Sequence, residues 1–368
     1  MTDNPYRGLP DRQFWKKDPG IERPRLFDPV TAPPFTITRK DKVVTAGSCF
    51  AQHLAQRLSE AGFNHLITEP AHPVVQKLVA QAHNYGMFSA RYGNVYTARQ
   101  LKQLLQRAYG QFTPRQSAWA LGRTGKFVDP LRPQIQPGGF ESIEELEIDR
   151  TQQLAATREA IEALDVFVFT LGLTECWVDT RDGTVFPLAP GVAGGEYDPE
   201  TVGFRNFDEV ETYDDLHFAL SFIREINPQA KIILTVSPVP LNATMEDAHV
   251  FAATTWSKAV LRIAAEKATR NIKNCYYFPS YEIITAPQTR ARYFDEDRRS
   301  ILPQGVDHVM RLFFRHLAKE EIRTGRPSRI RGANQDRGGR KGPAADAHGD
   351  KVAKAMELLC DEEMIRND

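Results

Sequence analysis

The sequence has no pair of cysteines at metal-ligand or redox spacing. Its four, Cys49, Cys176, Cys275 and Cys360, stand far apart, which argues against a zinc knuckle, an iron–sulfur cluster or a redox dithiol. They are too few and too scattered for a disulfide scaffold, and fit reduced thiols in a cytoplasmic protein. No run approaches 18 apolar residues, so no membrane span is expected. The first 27 residues lack the apolar stretch of a signal peptide. Net charge is missing too, because 47 Lys and Arg balance 47 Asp and Glu. No global field draws in nucleic acid or an anionic membrane, and no nucleic-acid partner is expected. GxGxxG, Walker A and HExxH are all absent, so neither a nucleotide cofactor nor a metal is expected.

What is present is the alternation of an α/β fold. Residues 1–34 are rich in proline and read as an irregular arm laid over the body. Short apolar strands are predicted at 42–46, 165–171, 231–236 and 275–278. Amphipathic helices are predicted at 51–61, 97–109, 144–161, 211–226, 246–269 and 303–322. Apolar runs such as DVFVFTL (165–171) suit a buried parallel sheet. The expectation is a three-layer sandwich over 35–322 with a mainly parallel sheet, and irregular insertions near 110–145 and 178–210. Residues 323–349 read as a disordered linker, basic in their first part apart from Asp336. Residues 350–368 read as a short acidic helix. The zero net charge is therefore a sum of unlike parts.

Candidate chemistry gathers where strands end. Ser48 follows the first strand and precedes a helix, the position where open α/β sheets bind ligands. Two roles are open to it: helix N-cap, or a nucleophile held near helix N–H groups. Cys49 beside it is an alternative nucleophile, although buried cysteine is commonly core. Glu175 and Glu282 also follow apolar strands, and either can orient a base. Trp177 and Tyr281 can stack on a sugar. Lys258 and Arg262, four apart, form either an anion clamp or a solvated helix face. His249 lies just past the Ser237-Pro-Val-Pro240 loop, at the sheet edge suited to catalysis. His308 and His53 are further candidate bases.

Thr45-Ala-Gly-Ser-Cys-Phe-Ala51 resembles the signature of the GSCFA family, named for its five letters Gly47 to Ala51. Arg91-Tyr-Gly-Asn-Val-Tyr-Thr97, Gly172-Leu-Thr-Glu-Cys-Trp177, Leu234-Thr-Val-Ser-Pro-Val-Pro240, Ser257-Lys-Ala-Val-Leu-Arg262 and Tyr277-Phe-Pro-Ser-Tyr-Glu282 resemble the same family. The resemblance places the chain with the SGNH (GDSL-like) hydrolases, which have a flavodoxin-like fold. It implies a serine esterase or O-acyltransferase acting on O-acyl groups of a glycan or small ester. On that pattern Ser48 is the nucleophile and the Ser48 amide helps hold the oxyanion, beside Gly47. Gly93-Asn94 or Gly86 supplies the second block, and Gly172 with Thr174 the third, Thr174 standing where asparagine is usual. In the last block Asp297 and Gly305 keep their registers, but Ser300 stands where the histidine belongs.

Serine cannot accept a proton near neutral pH as imidazole does. The base must then come from elsewhere, His249 or His308, with Asp297 or Glu175 orienting it. His308 lies about 12 Å farther along the helix axis than Ser300. The alternative is a catalytically silent glycan- or acyl-binding domain that keeps the pocket around Gly47, Trp177 and Glu282.

Overall fold

In the computed structural model, residues 4–320 and 361–365 are described. The central sheet has four parallel strands: β1 (Val43–Gly47), β4 (Val166–Leu171), β8 (Lys231–Val236) and β9 (Cys275–Tyr277), in the order β1-β4-β8-β9. Val43 also forms a parallel bridge with His65. Counting that bridged segment, the order is 2-1-3-4-5, that of one class of doubly wound sheets. Every residue of β1 and β4 is buried, because helices cover both faces.

One face carries Val44, Phe167, Phe169, Ile232 and Leu234. It packs against α3 (Ala98–Ala108), α4 (Ile143–Ala163), α5 (Glu209–Ile226) and α6 (Val250–Asn271). The other carries Val43, Val166, Val168, Ile233 and Tyr276, under α1 (Cys49–Glu60), α7 (Ser280–Thr285) and α8 (Pro303–Phe313). Local signals start several helices where the sequence places them. Thr97 and Asp208 form capping boxes with Gln100 and Glu211, and Ser142 accepts from the Glu145 amide. The N-terminal arm lies on the α8 layer: Val30 and Ile37 join its core, and the Ile37 amide donates to Leu317 O at 2.8 Å.

The two irregular stretches pack together. β2 (Trp119–Ala120) and β3 (Phe127–Val128) form a small hairpin, and β5 (Glu175–Asp179), β6 (Val185–Phe186) and β7 (Val202–Asn206) form an antiparallel sheet. Trp119, Val128, Phe186 and Val202 make one apolar cluster between them. The strands within 178–210 are short and separated by Gly183, Gly191, Gly194 and Gly195, which gives this stretch its irregular pattern in the sequence. α2 (Lys77–Ala82) lies on the surface of the preceding excursion. Among the described residues no helix is long and apolar enough to cross a membrane. The helix expected across 350–368 falls mostly outside the described residues; within it, Asp361–Met364 forms a 3₁₀ turn.

Candidate functional site

The site begins at the turn from β1 into α1. Gly47 has φ +137°, and a Cβ there would lie 2.4 Å from Thr170 O. Only glycine fits such a turn. Ser48 is then the N-cap residue of α1, with extended backbone, yet its side chain makes no capping bond. Its Oγ is buried and has no hydrogen-bond partner, although the residue is only 3% exposed. Leaving a buried hydroxyl unpaired costs about 1–3 kcal/mol, so capping does not explain this serine. Its amide donates to Thr170 O at 3.2 Å. Gly172, just past β4, faces it; a Cβ at Gly172 would lie 2.9 Å from Ser48 Cβ.

A loop from the second motif runs alongside. Val95 N donates to Gly47 O at 2.8 Å, and the amides of Gly172 and Leu173 donate to Tyr96 O at 2.9 and 3.0 Å. Of the two stretches left open by the sequence, these bonds bring Gly93-Asn94 to Ser48, with Gly93 at φ +72° in the left-handed region. Asn94 is oriented from α1: Gln52, one turn beyond Ser48, donates to Asn94 Oδ1 at 2.8 Å. Asn94 Nδ2 in turn donates to Asp361 Oδ2 at 3.0 Å.

From the opposite layer, α6 presents Ser257 and Lys258. Thr174 Oγ1 donates to Ser257 Oγ at 2.9 Å. Lys258 is not on a solvated face: it is 1% exposed, and its Nζ donates to Gly172 O at 2.7 Å. Burial lowers the Lys258 pKa to about 8, against the opposing pull of Glu362 and Cys49. Ser48 and Lys258 thus approach Gly172 from two sides, Ser48 packed against its Cα and Lys258 on its carbonyl.

A family model described as GSCFA family matches residues 42–313. The chain belongs to the GSCFA family. The match spans all four central strands together with Ser48, Asn94, Gly172 and Lys258. Neither the curated proteins nor the solved structures hold a match to the chain.

Among the described residues of this GSCFA domain no histidine ring nitrogen bonds the Ser48 hydroxyl. His249 is exposed and caps α6, its Nδ1 accepting from Phe251 N at 3.1 Å. His308 is buried beneath the arm, its Nδ1 2.6 Å from Tyr293 Oη and its Nε2 2.9 Å from Phe27 O. His53 packs edge-on against Phe50. The carboxylates are also engaged. Asp297 accepts from the Arg299 and Ser300 amides and from Ser300 Oγ. Burial works to raise Asp297, but those bonds hold it below its usual value. Ser300, at the register of the absent histidine, therefore closes a turn.

Glu175 is raised by burial and accepts from Thr244 Oγ1 and Met245 N, tying the loop after β8 to the site rim. Glu282 takes Arg262 Nε at 3.1 Å and Tyr277 Oη at 2.8 Å. It borders a separate cavity of about 960 Å³ beneath the arm. Trp177 packs against Tyr197 and Phe204, in the small antiparallel core. Ser237 is buried after β8, its amide on Leu171 O and its Oγ accepting from Val239 N. No three His, Cys, Asp or Glu side chains among the described residues are grouped to hold a metal.

Sequence reasoning missed Gln52, Tyr96, Arg299 and Asn242 as site residues, and left Lys258 between an anion clamp and a solvated helix face, not a base. Gln52 carried a usable signal, standing one helical turn from Ser48 on the same face. The C-terminal segment carried none. Asp361 and Glu362 reach the cleft from far along the chain, and the Tyr96 hydroxyl donates to Asp361 Oδ2 at 3.1 Å.

Proposed function

We propose that the chain is a serine esterase or O-acyltransferase of the SGNH kind, acting on O-acyl groups of a glycan or small ester. Ser48 is the nucleophile, and Lys258 takes the place of the absent histidine. The observation that carries this reading is the buried Ser48 hydroxyl, left without a partner against Gly172, whose carbonyl holds a buried lysine. A serine–lysine pair is a known variant of the serine–histidine arrangement.

The neutral Lys258 amine takes the Ser48 proton as Oγ attacks the ester carbonyl. The carbonyl C=O electron pair moves onto oxygen, and Asn94 Nδ2 with the first-turn amides of α1 receive that charge. As the intermediate collapses, the C–O bond to the alcohol breaks and Lys258 returns its proton to the leaving oxygen. Water, or an acceptor hydroxyl, then gives a proton to Lys258 and attacks the acyl carbon; the acyl C–Oγ bond breaks, and Lys258 returns that proton to Ser48 Oγ. Thr174 stands at the register of the usual asparagine, but its hydroxyl is given to Ser257. Asn94 takes over that task.

Ser48→Ala tests the reading. It should abolish labelling by a fluorophosphonate and cleavage of p-nitrophenyl acetate. Its melting temperature should stay level or rise, because the unpaired hydroxyl is removed. A serine that merely caps a helix would lose about 1 kcal/mol on the same change. Labelling that persists in Ser48→Ala, or a marked loss of stability without loss of labelling, would sink the proposal. Intact protein that takes no label and cleaves no ester would point instead to a silent binding domain.

A further inference from the structure

Two consecutive acids of the C-terminal segment, Asp361 and Glu362, are 2% and 5% exposed. Burying carboxylates is costly unless each is paired, and a built receptor meets both. Asp361 Oδ2 accepts from Asn94 Nδ2 and Tyr96 Oη, and the Asp361 amide donates to Tyr96 Oη at 3.0 Å. Glu362 Oε2 pairs with Arg299 Nη2 at 2.9 Å, and Glu362 Oε1 accepts from Asn242 N at 3.2 Å. Asn242 Nδ2 grips the Glu362 main-chain carbonyl at 2.8 Å. Arg299 is itself held by the turn that closes on Asp297.

The receptor and its occupant fall on opposite sides of the end of the family match. Asn94, Tyr96, Asn242, Lys258 and Arg299 all lie within residues 42–313, the span the family model matches, whereas Asp361 and Glu362 lie beyond it. The residues that meet the acids thus lie in the matched domain, and the acids belong to a segment beyond it. One of them rests an anionic oxygen on Asn94 Nδ2, the donor assigned above to the oxyanion.

We infer that this cleft is a receptor for an acidic ligand presenting two carboxylates spaced like adjacent acidic residues. The chain's own Asp361–Glu362 occupies it as an internal stand-in for that ligand. The inference rests on the reading of Ser48 and Asn94 above and names the substrate class of that site. An acidic acyl ester reaches Ser48 by displacing the segment. Asp361 is in keeping with an occupant that must leave: burial raises its pKa to about 6, against the bonds from Asn94 and Tyr96.

The test uses full-length protein carrying Asp361→Asn and Glu362→Gln, and a fluorescein-labelled peptide of residues 357–368. Anisotropy should show the peptide binding this variant at least tenfold more tightly than native protein, whose own segment competes. Neutralising both acids in the peptide should weaken it at least tenfold. Arg299→Gln added to the variant should do the same, as should Asn242→Asp, which leaves Arg299 in place. Glutarate displacing the peptide would assign a small dicarboxylate; displacement by unlabelled peptide alone would assign an acidic peptide. Fluorophosphonate labelling of Ser48 should be at least tenfold faster in the variant and slow again with added peptide.

Equal peptide binding to native and variant protein, or binding indifferent to the two acids, overturns the inference. Failure of Ser48 to take label in every form would overturn the nucleophile reading instead, while the anisotropy still decides the receptor.

Discussion

Lys258→Met is expected to slow phosphonylation of Ser48 and ester turnover by about 10²- to 10⁴-fold, the usual contribution of a general base. The change should not unfold the protein, since an apolar side chain in place of a buried ion is often neutral or stabilising. In native protein the rate should rise with pH through about 8, where burial has brought the lysine from its ordinary 10.5. Only the neutral amine accepts a proton. Glu362 and Cys49 act to raise that value and Arg299 to lower it, so the Asp361→Asn, Glu362→Gln variant should show its rise at lower pH. Lys258→Arg should stay inactive throughout, because guanidinium does not deprotonate.

The sign for stability is opposite to that of an ordinary ion-paired lysine. The folded state sheds this proton near 8 and the unfolded state near 10.5, so the unfolded chain binds more protons between them. Stability contributed at this position therefore rises with pH across that window, and Lys258→Met should remove the rise. Stopped-flow labelling and urea titrations at several pH values check both. Labelling within twofold of native in Lys258→Met would remove the lysine from the mechanism.

Arg91→Met is expected to cost about 3–5 kcal/mol, the usual penalty for breaking a buried ion pair from one side. The Arg91 and Glu69 side chains are each 1% exposed. Arg91 donates through its amide to Glu69 Oε2, through Nη1 to Asp149, and through Nε to His83 O. Arg132 joins Asp149 to Asp129, which Arg150 also meets. Removing the arginine leaves Glu69 buried, where desolvation already raises its pKa.

The change should also reach the chemistry. Arg91 lies three residues before Asn94, so Ser48 labelling should fall even under conditions where the variant stays folded. The midpoint of urea unfolding measures the first effect. Pairing the change with Glu69→Leu should recover part of it, since no carboxylate is then left stranded. A loss under about 1 kcal/mol would show that the network is not holding this excursion together.

These two residues mark how far the sequence could be read. The strands at 43–47, 166–171 and 231–236 were legible because a parallel sheet covered on both faces demands unbroken apolar runs. The turn at Gly47-Ser48 was legible because a positive φ at a strand end requires glycine. Arg91 stood inside a motif whose resemblance was plain but whose reason was not: a buried network joins side chains from several loops, and no periodicity announces it. For Lys258 the sequence leaves an anion clamp or a solvated face open, and its burial is not legible because lysine is rarely buried. Its burial depends on the Gly172 carbonyl, which only the crossing of α6 over the end of β4 supplies. Counting residues likewise places His249 at the proper sheet edge, but only the structure shows its ring capping α6.

The sequence by itself determined the alternation of strands and helices, the strained turn that presents Ser48, and membership of the GSCFA family, since each depends on local pattern. Tertiary structure alone decided that Ser48 is left unpartnered rather than capping, that Lys258 is buried on the Gly172 carbonyl, and that Asp361 and Glu362 fill the cleft. Those facts are contacts between residues far apart in the chain, set by layer packing. The scarcity of cysteine and the absence of net charge, with which the reading began, limited the chemistry to side chains such as these.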